Sequence, residues 1–161
     1  MAILDELLEF CDNVDVSATA GTALVGDVID LGSQPQDLGS GEPMYLVIQT
    51  GSTSIITGGS AGTIQFQLAS DAAAAIAVDG TASTHVLTPT YVTDGDDANA
   101  AALDAGGVIY VGALPTGAGV AYERYLGVLV TTATTTTTAG TINAFLTKDP
   151  KNWVALPDAV N

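Results

Sequence analysis

One histidine and one cysteine are all that this 161-residue chain offers toward nucleophilic or soft-metal chemistry. His85 falls beside Val86 and Leu87 in a stretch of strand-like alternation, where a histidine reads as a packed or hydrogen-bonded residue rather than a base. Cys11 would need a base and a positive setting to become a thiolate, and its neighbours Phe10 and Asp12 favour the thiol. A lone cysteine gives neither an intrachain disulfide nor a zinc-type ligand cluster. Glycine-rich Gly58-Gly59-Ser60-Ala61-Gly62 lacks the lysine and the following helix that phosphate binding requires, so it reads as a hairpin turn. Acids are too abundant, at 18, for any glycosidase-like pair to stand out. The densest cluster, Asp94-Gly95-Asp96-Asp97, makes Asp94, Asp96 and Asp97 weak candidates for a hard cation. It departs from a calcium-binding EF-hand loop, with Asn99 where glycine belongs and Ala105 where the bidentate glutamate belongs. A solvated acidic loop is the reading, and neither a catalytic site nor a cofactor is expected.

Charge narrows the partners. The chain carries 18 acidic and 3 basic residues, a net charge of -15, and Arg124, Lys148 and Lys151 all fall in its last quarter. Nucleic-acid binding and polybasic contact with an anionic membrane both need cations that this sequence does not supply. Acidity on this scale promotes solubility and repulsion between copies. It also suits a saline habitat, although charged residues total only 13%. Hydrophobic residues at 47% exclude a disordered acidic tail. The opening Met1-Ala2-Ile3-Leu4-Asp5-Glu6 has no basic region and no long apolar run, so synthesis in the cytoplasm is expected.

Protein–protein contact remains, and the elements that would present it are strands. Period-2 alternation is clearest in Thr63-Ile64-Gln65-Phe66-Gln67-Leu68. Stretches 44–49, 108–111 and 125–130 are apolar on both faces, as central or interface strands are, and 141–146 is mixed. With 25–31 and 85–92 this gives about seven or eight strands separated by glycine-rich turns. Residues 71–78 read as a loop excursion, and the threonine run 131–138 as a strand end and hairpin. The expected fold is an all-β antiparallel sandwich of jelly-roll type over residues 16–161, preceded by an N-terminal arm or short helix over 1–15. Ile3, Leu4, Leu7, Leu8 and Cys11 share one helical face there, though an extended arm fits equally. Trp153, after Lys148-Asp149-Pro150-Lys151-Asn152, either closes the core or anchors a partner.

Several stretches in order carry a resemblance: Ile3-Leu4-Asp5, Ser17-Ala18-Thr19-Ala20, Asp27-Val28-Ile29-Asp30-Leu31-Gly32, Tyr45-Leu46-Val47 and Arg124-Tyr125-Leu126-Gly127. Thr137-Thr138-Ala139-Gly140-Thr141-Ile142, Ala144-Phe145-Leu146-Thr147 and Trp153-Val154-Ala155-Leu156-Pro157-Asp158 complete it. The chain resembles the Bbp16-like capsid cement proteins of tailed phages, with residues 71–106 the poorest match. The resemblance implies a jelly-roll homodimer on the outer surface of the virion, clamping adjacent subunits of the major capsid protein. Leu4, Leu7, Leu8 and Phe10 are candidate contacts as an arm, with Lys151 and Trp153 at the other end. Core packing is the competing reading for Leu7, Leu8 and Trp153. Two rival functions stay open: a trimeric head-fibre or tail component, and a calcium-assisted carbohydrate-binding sandwich.

Overall fold

Alternation that buries every second residue recurs along the chain, and the strands it builds pair into two antiparallel sheets. A computed structural model describes residues 6–33, 38, 41–59, 61–93 and 101–150. Sheet A contains β1 (Glu9–Asp15), β3 (Tyr45–Thr50), β8 (Val108–Ala113) and β11 (Thr141–Thr147). Sheet B contains β2 (Gly21–Asp30), β5 (Gly62–Asp71), β6 (Ser83–Leu87), β7 (Tyr91–Thr93) and β9 (Tyr125–Ala133). A small ribbon pairs β4 (Ile56–Thr57) with β10 (Thr137–Ala139). Sheet A runs β1-β11-β3-β8 and sheet B runs β2-β9-β5-β6, with β7 also paired to β5.

The core lies between the sheets. Ile64, Phe66 and Leu68 of β5 and Leu126, Val128 and Val130 of β9 meet Leu46, Ile48, Ile142, Ala144 and Leu146 of sheet A. Each of the larger side chains withdrawn from water contributes about 1.5–3 kcal/mol, so this two-sided layer dominates stability. The central strands are also covered on their other faces. Val47 and Gln49 of β3 are buried, as is Phe145 of β11.

On the far face of sheet B the excursion after β5 serves as a cover. Ile76 packs with Ala69 and Leu129 beside Leu24 and Val28. It fits because position 127 is glycine; a Cβ there would collide with Ile76 Cδ1. Asp71 holds the excursion in place by accepting from the Ala73 and Ala77 N–H groups, each at 3.0 Å.

The N-terminal segment differs from the expectation of an arm or helix outside the sandwich. Glu6–Leu8 is a single 3₁₀ turn, and Glu9–Asp15 is a strand of sheet A, registered with β11 from Glu9↔Phe145 to Asp15↔Thr141. Asp12 and Asn13 together oppose Asn143, and this bulge puts Asn13 at φ 51°. Its side-chain Oδ1 then accepts from Ser52 N at 2.8 Å and Thr141 Oγ1 at 2.7 Å, tying β1 to its neighbours. Stretch 85–92 is likewise two strands, not one. Pro89 cannot donate, and the Thr88 hydroxyl instead accepts the Phe66 N–H at 3.0 Å.

Candidate interaction surfaces

The sandwich has one closed side and one open side. On the closed side β1 of sheet A lies against β2 of sheet B. β2 bulges between Val25 and Ile29, and Gly26 sits there at φ 66° with its α-carbon against the Phe10 carbonyl, leaving no room for a Cβ. Glu6, Glu9, Asp12 and Asp27 crowd this side. Glu9 is raised above the usual carboxylate range by burial first, then by Asp12 and Glu6. Cys11 is pushed up to about 12, mainly by burial, with Glu9, Asp12 and Asp27 adding to it. The buried thiol donates to the Ile142 carbonyl at 3.6 Å, so it is a packed core residue.

Of the residues expected at an interface, Leu7 is 79% exposed on the 3₁₀ turn, while Leu8 is half-buried against the core. Phe10 corrects the expectation of an exposed arm: at 1% exposure it is a core side chain, because β1 is sheeted and faces it inward. Leu4, Lys151 and Trp153 lie outside the described residues, as do Asp94, Asp96 and Asp97 of the acidic loop.

The open side is built differently. Here β8 ends sheet A, and β6 and β7 end sheet B. Tyr91 Oη bridges the sheets by donating to the Ile109 carbonyl at 2.9 Å, at the bulge where β8 leaves regular register with β3. Among the described residues, five of the seven exposed large apolar side chains belong to this side or its adjoining loop: Leu87, Val92, Val108, Val111 and Val120. No residue in 80–93 or 105–122 is charged at neutral pH. Two uncharged runs flanking the acidic 94–104 segment are the sequence signal of this surface.

A polar cluster underlies this side. Ser70 Oγ is 2.7 Å from His85 Nε2 and accepts from the Glu123 N–H at 3.0 Å, while Ser83 donates to Glu123 Oε1 at 2.8 Å. The His85 ring stacks on Tyr122, with centroids 4.0 Å apart. Burial holds its pKa below the ordinary value, against an upward pull from Glu123. A serine beside a histidine is the beginning of a hydrolytic dyad. Ser70, however, has no exposed surface, so its hydroxyl faces the interior and pins β5 and β6 to the 123 segment. The adjoining cleft of about 170 Å³, lined by Thr84, His85 and residues 115–120, reaches the imidazole but not the hydroxyl.

Neither cation in the described residues is left open. Arg124 makes a two-pronged pair with Asp30, at 2.9 and 2.8 Å, and stacks over the Tyr125 ring. Lys148 pairs with Glu42 at 2.7 Å. Among the described residues no group of three or more metal-ligating side chains converges.

Set beside known proteins, the sequence matches the Bbp16 family over residues 13–146, and no curated protein matches it. The matched span covers every strand of both sheets except the first residues of β1 and the last of β11. The chain therefore belongs to the Bbp16 family, which is phage-associated.

Proposed function

We propose that this Bbp16-family chain is a structural protein of a phage virion, a capsid cement that binds the outer surface of the head as a homodimer and clamps adjacent major capsid protein subunits. Family membership along the sandwich is the observation that carries the reading. The strand order supports a jelly roll: the chain alternates between sheets A and B, giving β1-β11-β3-β8 against β2-β9-β5-β6. A clamp needs a rigid body with adhesive surfaces and no chemistry. The inward-facing Ser70 beside His85 and the thiol of Cys11, held protonated by burial, agree with a protein that is not an enzyme.

The mechanism is linkage. A protein that binds the assembled lattice and not its separated subunits adds its binding free energy to the cost of pulling them apart. Repetition over the lattice supplies avidity, so each contact can be modest. The acidic closed side, with the exposed Leu7 on the turn between Glu6 and Glu9, suits a basic or neutral partner surface with an apolar recess.

The test is co-sedimentation of the purified protein with heads that lack it, followed by thermal disruption of those heads. Saturable binding with a raised disruption temperature is expected. Saturable binding that leaves disruption unchanged would remove the clamp; no binding would remove the cement reading altogether.

A further inference from the structure

We infer that the homodimer forms through the open side, by antiparallel pairing of β8 with β8 of a second copy across a two-fold axis. This rests on the homodimeric reading above and assigns it a surface.

Three observations converge on that edge. First, β8 pairs only with β3 among the described residues, so one row of its main-chain groups faces outward. The Tyr91 hydroxyl takes up the Ile109 carbonyl at the bulge, which leaves Tyr110–Ala113 as the available stretch. Secondly, Val108 and Val111 stand 48% and 44% exposed on the same outer face, opposite Gln49 and Val47. An exposed apolar edge strand without charge is what proteins ordinarily avoid unless another strand covers it. Thirdly, charge selects the occupant. Two molecules of net charge -15 can touch only where few acids are brought together.

The two edges of sheet A differ sharply in this respect. β1 carries Glu9, Asp12 and Asp15, whereas β8 carries no charge, and among the described residues Asp104 and Glu123 border its side. Three strand spacings put β1 about 14 Å from β8. That exceeds the screening length of about 8 Å at physiological salt, so the acids of the closed side weigh little at the opposite edge. A partner of different composition would gain most at the acidic side. A second copy gains most where it meets neutral backbone and valine, and antiparallel pairing about a two-fold is self-complementary.

Light scattering on the full chain at neutral pH and physiological salt is the test. Wild type is expected at twice its chain mass of 16.1 kDa. Val108→Glu combined with Val111→Glu is expected to give the single-chain mass and at least a 100-fold weaker self-association, because four carboxylates then face one another. An unchanged thermal midpoint at a concentration where both proteins are monomeric shows that the variant still folds. Asp12→Ala on β1 is expected to leave the dimer intact. Cysteines placed singly at Val111 and Ala113 provide a second readout, and at least one should cross-link the dimer on oxidation while one at Asp12 does not. A wild-type dimer that survives the double charge substitution and fails to cross-link through β8 overturns the edge assignment alone. A wild-type monomer or trimer overturns the homodimeric reading with it.

Discussion

The closed and open sides of the sandwich are made from strands of the same two sheets, yet they answer opposite problems. On the closed side β1 and β2 approach so closely that Gly26 has no space for a Cβ, and acids along β1 dress the outside. On the open side the Tyr91 hydroxyl bridges β7 to β8 and the stack of His85 on Tyr122 ties β6 to the segment after β8, while valines and Leu87 face solvent on strands that carry no charge. Interior packing closes one side; the other leaves apolar side chains of its edge strands exposed. Acids in a mostly uncharged chain are therefore sorted by placement, gathered on β1 and kept off β8.

Core substitutions should separate the two sides most strongly. Phe10→Ala empties a fully buried site on the closed side and is expected to cost about 3–5 kcal/mol in urea unfolding. Leu87→Ala, 56% exposed on the open side, should stay within about 0.5 kcal/mol in the monomer. Equal losses would break the distinction. Next in size is Gly26→Ala, which adds a methyl against the Phe10 carbonyl at a positive φ and should cost about 2–3 kcal/mol. A neutral result there would mean that β1 and β2 can separate without loss.

Acid titration sharpens the comparison further. On the open side, His85 is held below its ordinary pKa by burial, so the unfolded chain binds its proton more readily than the folded one. Its contribution is present above the unfolded value of 6.5 and is lost as pH falls below it. Between pH 7.5 and 5.5 the thermal midpoint of wild type should fall relative to His85→Gln; parallel profiles would show that the ring titrates freely. The smallest effect belongs to Asp30, on β2. The Arg124 guanidinium, then the Gly32 N–H, hold its carboxyl down to about 2 from 3.8. Its contribution persists above 3.8 and is lost only as pH drops through about 2, so Asp30→Asn should match wild type most closely in strong acid. Because both partners are exposed, added salt should shrink the difference.

How much of this was legible follows from where the alternation is clean. Thr63–Leu68 alternates strictly, and it forms the first two-thirds of the longest paired stretch, β5 with β9. The excursion at 71–78 and the turn within the threonine run were readable from composition. β1 was not, because a two-residue bulge at Asp12 and Asn13 breaks its period. Spacing of Leu4, Leu7, Leu8 and Cys11 then imitates a helix. The inward direction of Phe10 is hidden for the same reason, since it is set only by the strand. Pro89 hid the boundary between β6 and β7, where a threonine hydroxyl substitutes for a ladder bond. The open side escaped notice because it is defined by missing charge, a property visible only once edge strands are distinguished from central ones.

The pairing of β1 with β11 also sets a timetable. Glu9 meets Phe145 and Asp15 meets Thr141, so an outer strand of sheet A is anchored by the last strand described. Non-local pairings of this kind place sandwich domains in the millisecond-to-second range of folding times. On a ribosome the segment bearing Phe10 and Leu8 must wait, with its apolar side uncovered, until β11 has emerged. Like charge on its acids opposes contact between waiting chains during that interval, an effect of the β1 carboxylates that is present before the sheet is complete.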